Sequence, residues 1–272
     1  TMKPRMVACA GDNRIWQEGI ADPNDPLFPE RPTKRVPGGF YNAADVDRIG
    51  ARRLSWRNGN VDEPSSGDSP AISGDGNYVA FVSRHAMSTP ASMDLDLNGK
   101  RDVYRRDLRT NAIVLVSGRP RPAAPMDGVG RIAGDKDSDE PSISRDGCNV
   151  AFSSYATDLG VGLPTGGFEQ IYVANVCSRT MEIITVPPPT AAAVPGLPTT
   201  AASGHSWSPS ISADGRYVVF ASQAPDLVSP PLTSGRSHIY AYDRQTKLMK
   251  PISVGFDRSE ADASSTEPMI SA

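Results

Sequence analysis

A short phrase recurs along this 272-residue chain. Residues 69–83 read SPAISGDGNYVAFVS, 141–154 read PSISRDGCNVAFSS, 208–222 read SPSISADGRYVVFAS, and 268–272, PMISA, begin a fourth copy. The aligned serines Ser73, Ser144, Ser212 and Ser271 set a period of roughly 60–70 residues, long for a repeat of this kind. A repeat constrains the fold more than any single motif. Each copy must be one supersecondary unit, and the units cover one another's hydrophobic faces.

The grammar of each copy is that of four short strands. Strand A ends at Ser-x-Asp-Gly, where Asp bonds its own backbone and Gly accepts positive φ, so the chain turns tightly. Strand B follows as Tyr78-Val79-Ala80-Phe81 or Tyr217-Val218-Val219-Phe220, the β-branched and aromatic composition that strands favour. After a long polar loop comes strand C, Asp102-Val103-Tyr104, Gln170-Ile171-Tyr172 or His238-Ile239-Tyr240. A second short turn leads to strand D at 113–116, 182–185 and 249–252. Four antiparallel strands per copy is one blade of a β-propeller, so the fold class is all-β.

The N-terminal region lacks strand A only. Arg5-Met6-Val7-Ala8-Cys9-Ala10 aligns with Arg216-Tyr217-Val218-Val219-Phe220-Ala221, Phe40-Tyr41 fits strand C, and Arg53-Leu54-Ser55 fits the end of strand D. The missing strand A is available at Pro268–Ala272. The expectation is one domain, 1–272, of four blades: 1–60 with 267–272, 61–120, 121–190 and 191–260. Pairing of the C-terminal strand A with the N-terminal strand B would close the ring and leave no long open edge. The rival expectation is a piece of a larger propeller.

The strings SPSISADGRYVVFAS and SHIYAYDRQTK resemble the TolB-type, WD40-like propeller repeat of bacterial extracytoplasmic proteins, and DLDLNGKRDVYRRDL resembles a frequent variant of it. The likeness covers nearly the whole chain apart from loops and residues 12–38. It implies a propeller used as a protein-interaction module, in some members beside a separate catalytic domain. TolB itself has six blades, whereas four are counted here.

Composition narrows the function classes. With 28 Lys and Arg against 31 Asp and Glu, the net charge of −3 argues against a nucleic-acid footprint. No run of about 18 apolar residues exists, so no transmembrane segment is expected. No secretory signal is legible, and Thr1-Met2-Lys3-Pro4 reads as a processed or trimmed start. The 24 Gly and 25 Pro punctuate the chain at intervals that suit many short strands.

Strand order yields a functional expectation. The A–B and C–D turns are short and share one face. The B–C loops (12–38, 84–100, 155–169, 223–236) and most D–A loops (118–138, 186–207, 255–266) are long and share the other. Long loops on a rigid scaffold are where binding surfaces usually sit; the bland alternative is that they merely cover the channel.

Asp94-x-Asp96-x-Asn98-Gly99-x-x-Asp102 has the oxygen spacing of a calcium loop, with a backbone carbonyl near Lys100 able to join. Arg105 stands where a bidentate Glu belongs, and a solvated Asp/Asn-rich turn is the alternative. Calcium here would order a loop. Cys148 opens one strand B and Cys177 follows the adjacent strand C, within disulfide reach; two unpaired thiols are the alternative. A bond would imply an oxidising compartment: periplasm, cell surface or medium. Cys9 aligns with Phe81, Phe152 and Phe220 and reads as a buried free thiol.

The Ser-x-Asp-Gly turns share their form with the Asp-box of sialidases, without that family's aromatic offset or arginine set, so a structural turn is expected. His205, in Gly-His-Ser-Trp before a strand A, falls near the channel mouth, and a hydrogen-bonded loop histidine is the plain reading. Trp16, Trp56 and Trp207 read as loop-associated, either packing over blade edges or anchoring an interface. His205, Trp207 and Trp16 are the candidate partner-binding residues. The prolines at 187–189, 195 and 198 read as a stiff polyproline-like spacer.

No Gly-x-Ser-x-Gly elbow or phosphate loop appears. The expectation is a non-catalytic interaction or scaffolding propeller with a protein partner, in some settings part of a membrane-associated complex. The alternatives are a hydrolase or lyase at the channel mouth and a structural subunit of a larger assembly.

Overall fold

The computed structural model describes residues 5–9, 14–18, 51–53, 68–87, 94–120, 130–188, 200–255, 257 and 259–271. The first sheet orders β1 (Arg5–Cys9), β2 (Arg14–Glu18) and β3 (Ala51–Arg53). The second orders β4 (Asp68–Ile72), β5 (Tyr78–Ser83), β6 (Asp102–Asp107) and β7 (Ile113–Leu115). A two-stranded hairpin, β8 (Gly118–Pro120) and β9 (Arg131–Ala133), follows. Two further four-stranded sheets comprise β10 (Ser138–Ile143), β11 (Asn149–Ser154), β12 (Gln170–Asn175) and β13 (Thr180–Ile183), then β14 (Ser206–Ile211), β15 (Tyr217–Ser222), β16 (His238–Asp243) and β17 (Leu248–Pro251). Every pairing within these sheets is antiparallel between consecutive strands. The three four-stranded sheets are the expected A–B–C–D blades. No α-helix occurs among the described residues, and none of their helices is long and apolar enough to cross a membrane.

The second strand of each blade is apolar at nearly every position because both of its faces are covered. Phe152 and Val150 of β11 join Ala80 and Val82 of β5 in one core, while Ala151 of β11 joins Val218 and Phe220 of β15 in another. Alternate side chains of one strand therefore serve the cores on either side, which is how face-to-face blades share apolar surface. Each blade repeats one aromatic stack across β5–β6, β11–β12 and β15–β16: Phe81–Tyr104, Phe152–Tyr172 and Phe220–Tyr240, with centroids 6.0, 5.8 and 5.8 Å apart.

The first strands of the blades carry a repeated irregularity. Ser69, Glu140 and Ser208, each followed by proline, hold φ of 47°, 51° and 49°, and the register slips by one residue there. This is a β-bulge in a conformation uncommon for residues with a Cβ. These strands neighbour one another between blades: the amide of Ile211 donates to Ser142 Oγ at 3.1 Å. Residues 265–271 repeat the pattern, with Glu267 at φ 55° before Pro268 and the Ile270 amide donating to Ser210 Oγ at 3.2 Å.

Two expectations are revised. The partner of β1 is β2, in register Arg5↔Glu18 to Cys9↔Arg14, so the long 12–38 loop is replaced by a short connection. Ile15-Trp16 supplies the strand propensity for β2. Trp16 and Trp207 are accordingly strand residues of β2 and β14, not loop residues. Among the described residues no pairing joins β1 to 267–271. Phe40, Tyr41, Trp56, Pro189, Pro195 and Pro198 lie outside the described residues.

Candidate binding face

The two ends of the sheets differ in kind. At one end lie the tight turns. Ser73, Ser144 and Ser212 donate to Asp75, Asp146 and Asp214 at 2.5, 2.6 and 2.5 Å. The same hydroxyls accept the amides of Tyr78, Asn149 and Tyr217 at 3.0, 3.0 and 2.9 Å. Each serine is thus fully engaged in holding its own turn. The turns also join blade to blade: Asp75 N–H donates to the Arg145 carbonyl, and Arg145 N–H to that of Ala213. Gly147 has φ 71°, and a Cβ there would stand 2.2 Å from the Tyr78 ring. The Cys148–Cys177 disulfide is formed at this end, with Cα atoms 5.3 Å apart.

The other end carries the long connections of the three four-stranded blades, and two of them are visibly fastened. After β11 and β15 the chain reads Ala156-Thr157-Asp158-Leu159 and Ala224-Pro225-Asp226-Leu227. Both alanines and both leucines are buried. Asp158 accepts the Asp135 amide at 2.9 Å, and Asp226 accepts the Ser203 amide at 3.1 Å, tying each B–C loop to the segment that leads into its own blade. Ser83, Ser154 and Ser222 accept the amides of His85, Ala156 and Ala224, each at 3.0 Å. The repeated Ala-x-Asp-Leu was legible in the sequence but lies inside segments read there as variable loop.

A second recurring fastener sits at the first residue of each third strand. Gln170 accepts from Thr185 at 2.5 Å and donates to the Ala202 carbonyl at 2.9 Å. At the equivalent site, buried Asp102 accepts from Ser117 at 2.6 Å and from Asn98 Nδ2 at 2.7 Å, and Asn98 Nδ2 reaches the Gly134 carbonyl at 2.7 Å. Asp102 and Asn98 together do what Gln170 does alone. In the last blade His238 Nε2 meets Ser234 Oγ at 3.1 Å and Glu260 at 3.3 Å.

The five residues with calcium-loop spacing are distributed among separate tasks. Asp94 accepts the amides of Leu115 and Arg131, each at 2.8 Å, and buried Asp96 accepts the Tyr104 hydroxyl. Asn98 Oδ1 accepts the Lys100 amide at 2.7 Å. Burial pushes the Asp102 carboxyl up to about 7; Ser117 and Asn98 oppose this, and Asp96 and Asp137 add to it. Among the described residues no group of three or more His, Cys, Asp or Glu side chains could hold a metal.

Between the last two blades, the long-loop end gathers aromatic and acidic side chains. His205 Nδ1 accepts the Glu169 amide at 3.2 Å, and the His205 ring meets Phe168 and Tyr155 edge-on at 5.3 and 5.8 Å. Tyr155 is 37% exposed. Glu140 reaches across to the Ser208 amide of the next blade at 2.5 Å, while Arg101 bridges Asp68 and Asp139 at 2.8 and 2.6 Å. Burial raises the Glu169 carboxyl, with Glu140 and Asp139 contributing and hydrogen bonds from Ser153 and Tyr155 opposing. Of the candidate partner-binding residues, the structure brings His205 and half-buried Trp207 to this end of β14. Trp16 lies mid-strand in β2, opposite Val7 and Arg53. Tyr155, Phe168 and Glu169 were missed, because what marks them is proximity to His205 from 36 or more residues away.

No protein-family model matches the sequence, and no curated protein matches it. Solved structures do. TolB from Acinetobacter baumannii is 15% identical with TM-score 0.45, over 94% of this chain and 42% of that one. The β-propeller domain of the Trilobed protease from Pyrococcus furiosus is 14% identical with TM-score 0.40, over 70% of this chain and 43% of that one. An oligogalacturonate lyase in complex with manganese is 12% identical with TM-score 0.46, over 92% and 50%. The chain spans half or less of the length of these proteins.

Proposed function

We propose that this chain is a non-catalytic interaction or scaffolding propeller that engages a protein partner through the long-loop end of its blades. One observation carries the reading. The long connections of the three four-stranded blades emerge at that end, and the recurring Asp158 and Asp226 fasteners hold residues 156–159 and 224–227 in place, so that part of the surface is pre-organised. A preformed surface loses little loop entropy on binding. Between the last two blades it presents Tyr155 and Phe168, aromatic residue types that anchor interfaces, packed edge-on against His205. The scaffold in this reading is a ring of four blades, with β1–β3 belonging to the first. The disulfide supports a periplasmic, cell-surface or secreted location, since such bonds persist in oxidising compartments.

The test is capture of binding proteins from the native envelope or secreted fraction. Tyr155→Arg with Phe168→Ser is compared with Arg109→Glu with Lys247→Glu at the opposite end. Loss of the captured protein in the first variant alone is expected; loss in the second alone overturns the reading. Deleting 223–236 is a poorer test, because it removes buried Ala224 and Leu227.

A second reading, a hydrolase or lyase at the same mouth, is favoured by one observation: Glu169, whose carboxyl is raised by burial and hydrogen-bonded by Ser153 and Tyr155, also donates its backbone amide to His205 Nδ1. Hydrolysis or elimination on a peptide or oligosaccharide panel, abolished by both Glu169→Gln and His205→Ala, would establish it.

A further inference from the structure

We propose that the notch between the blade of β10–β13 and the blade of β14–β17, at the long-loop end, takes an arginine side chain of the protein partner, its guanidinium lying between the Glu140 and Glu169 carboxylates and beside the Tyr155 ring. The inference rests on the interaction reading above and adds what the partner presents there.

The repeat supplies a template for this. At the preceding junction Arg101, the residue before β6, forks across the first strands of two blades. Its Nη1 donates to Asp68 of β4 at 2.8 Å and its Nε to Asp139 of β10 at 2.6 Å. Glu169, the residue before β12, occupies the same place one blade on. The Ser138 amide donates to the Arg101 carbonyl at 2.7 Å, and the Ser206 amide to the Glu169 carbonyl at 2.9 Å. The Arg101 amide in turn donates to Asp137 at 2.8 Å, and the Glu169 amide to His205 at 3.2 Å. The backbone frame is therefore the same at both junctions. Where the first has its own guanidinium between carboxylates, the second has another carboxyl.

Charge at the second junction is unbalanced as a result. Arg101 answers Asp139, but among the described residues no Lys or Arg pairs with Glu140 or Glu169. Burial raises the Glu169 carboxyl, and Glu140 and Asp139 lie near enough to raise it further. The Glu140 carboxylate is half-buried and held by the Ser208 amide at 2.5 Å, so it is fixed at the notch. Tyr155, which is 37% exposed, faces both glutamates and hydrogen-bonds to Glu169. Fixed carboxylates beside an exposed ring suit a guanidinium better than an ammonium, because the planar ion forks onto carboxylate oxygens and stacks on an aromatic face. Its arrival would give this junction the charge pattern that Arg101 gives the one before.

The test titrates the full chain with a capped Arg-Arg-Arg peptide, and with its citrulline and lysine counterparts, by nuclear magnetic resonance. The titration is repeated on Glu140→Gln with Glu169→Gln, on Asp262→Asn with Glu267→Gln, and on Glu169→Arg. The second pair removes as many charges as the first, from exposed residues of another segment. The expected result is saturable binding of the arginine peptide, with the other two peptides weaker. The first pair should weaken it by about tenfold or more, and the second pair should leave it unchanged. Glu169→Arg, which installs the residue of the preceding junction, should abolish binding, and this readout stands even where the first pair fails to fold. Equal binding of the lysine peptide would overturn the guanidinium assignment. Equal weakening by both pairs, or wild-type binding by Glu169→Arg, would overturn the notch as the site. No binding of the arginine peptide by wild type would overturn the inference while leaving the interaction reading to the capture experiment above.

Discussion

Removing the Cys148–Cys177 bond isolates one contribution to stability. The cysteines are 29 residues apart, and they flank β11 and β12, which pair through six residue pairs from Asn149↔Asn175 to Ser154↔Gln170. The Val176 amide also donates to the Cys148 carbonyl at 2.7 Å. The strands therefore stay together without the bond, and its effect falls on the unfolded chain. The loop-closure relation for a ring of this size gives about 3.6 kcal/mol at 25 °C. At roughly 2–4 °C per kcal/mol for a domain of this order, Tm should fall by roughly 7–14 °C. The assay is urea and thermal unfolding of the oxidised protein beside the Cys148→Ser, Cys177→Ser double variant, followed by circular dichroism. Reduced wild-type protein should match the variant. A loss under about 1 kcal/mol with unchanged urea dependence would refute the reasoning, since the unfolded chain would then gain little freedom when the ring opens.

Other outcomes follow from the same geometry. Gly147→Ala should cost about 2–4 kcal/mol, from left-handed backbone and collision with Tyr78, whereas Gly76→Ala, at φ 74° with open space around it, should cost only about 1–2 kcal/mol; paired urea titrations check the difference. Calcium added to chelator-treated protein should leave Tm unchanged, because the oxygens of Asp94, Asp96 and Asp102 already receive protein donors; a rise of several degrees would show that the ion replaces Asn98 or Ser117. Hydrogen bonding from Ser234 and the amide of Thr233, with His238 adding, holds the Glu260 carboxyl down to about 2. A depressed carboxyl stabilises the fold above its ordinary range near 4.5, and that contribution is lost as pH falls through about 2. Glu260→Gln should therefore destabilise at pH 6 and differ less from wild type at pH 2, in thermal melts at both values.

The fold was legible where the repeat spoke for itself. Ser-x-Asp-Gly fixed three turns, and the residues around them fell into strands whose boundaries follow from one another by the period. The disulfide was legible for the same reason: antiparallel neighbours bring the start of one strand to the end of the next, and Cys148 and Cys177 occupy those places. β2 was overlooked because its hairpin occurs once, with no copy elsewhere to align. The acidic loop at 94–102 could be read two ways, since the 1-3-5 spacing of carboxylates suits calcium and hydrogen-bonded turns alike. The donors that meet it, from Leu115, Ser117 and Arg131, come from the far side of a strand and a hairpin. The cluster at His205 depends likewise on contacts between connections of adjacent blades, which spacing along one chain does not encode.

Recognition at the long-loop end is the central claim, and site-specific photo-cross-linking tests it most directly. A benzophenone side chain is placed in turn at Tyr155 and Leu97, at that end, and at Arg109 and Lys247, at the tight-turn end; all four are exposed. The prediction is that adducts with a captured protein form from Tyr155, Leu97 or both and from neither Arg109 nor Lys247. Adducts confined to Arg109 and Lys247 would contradict it.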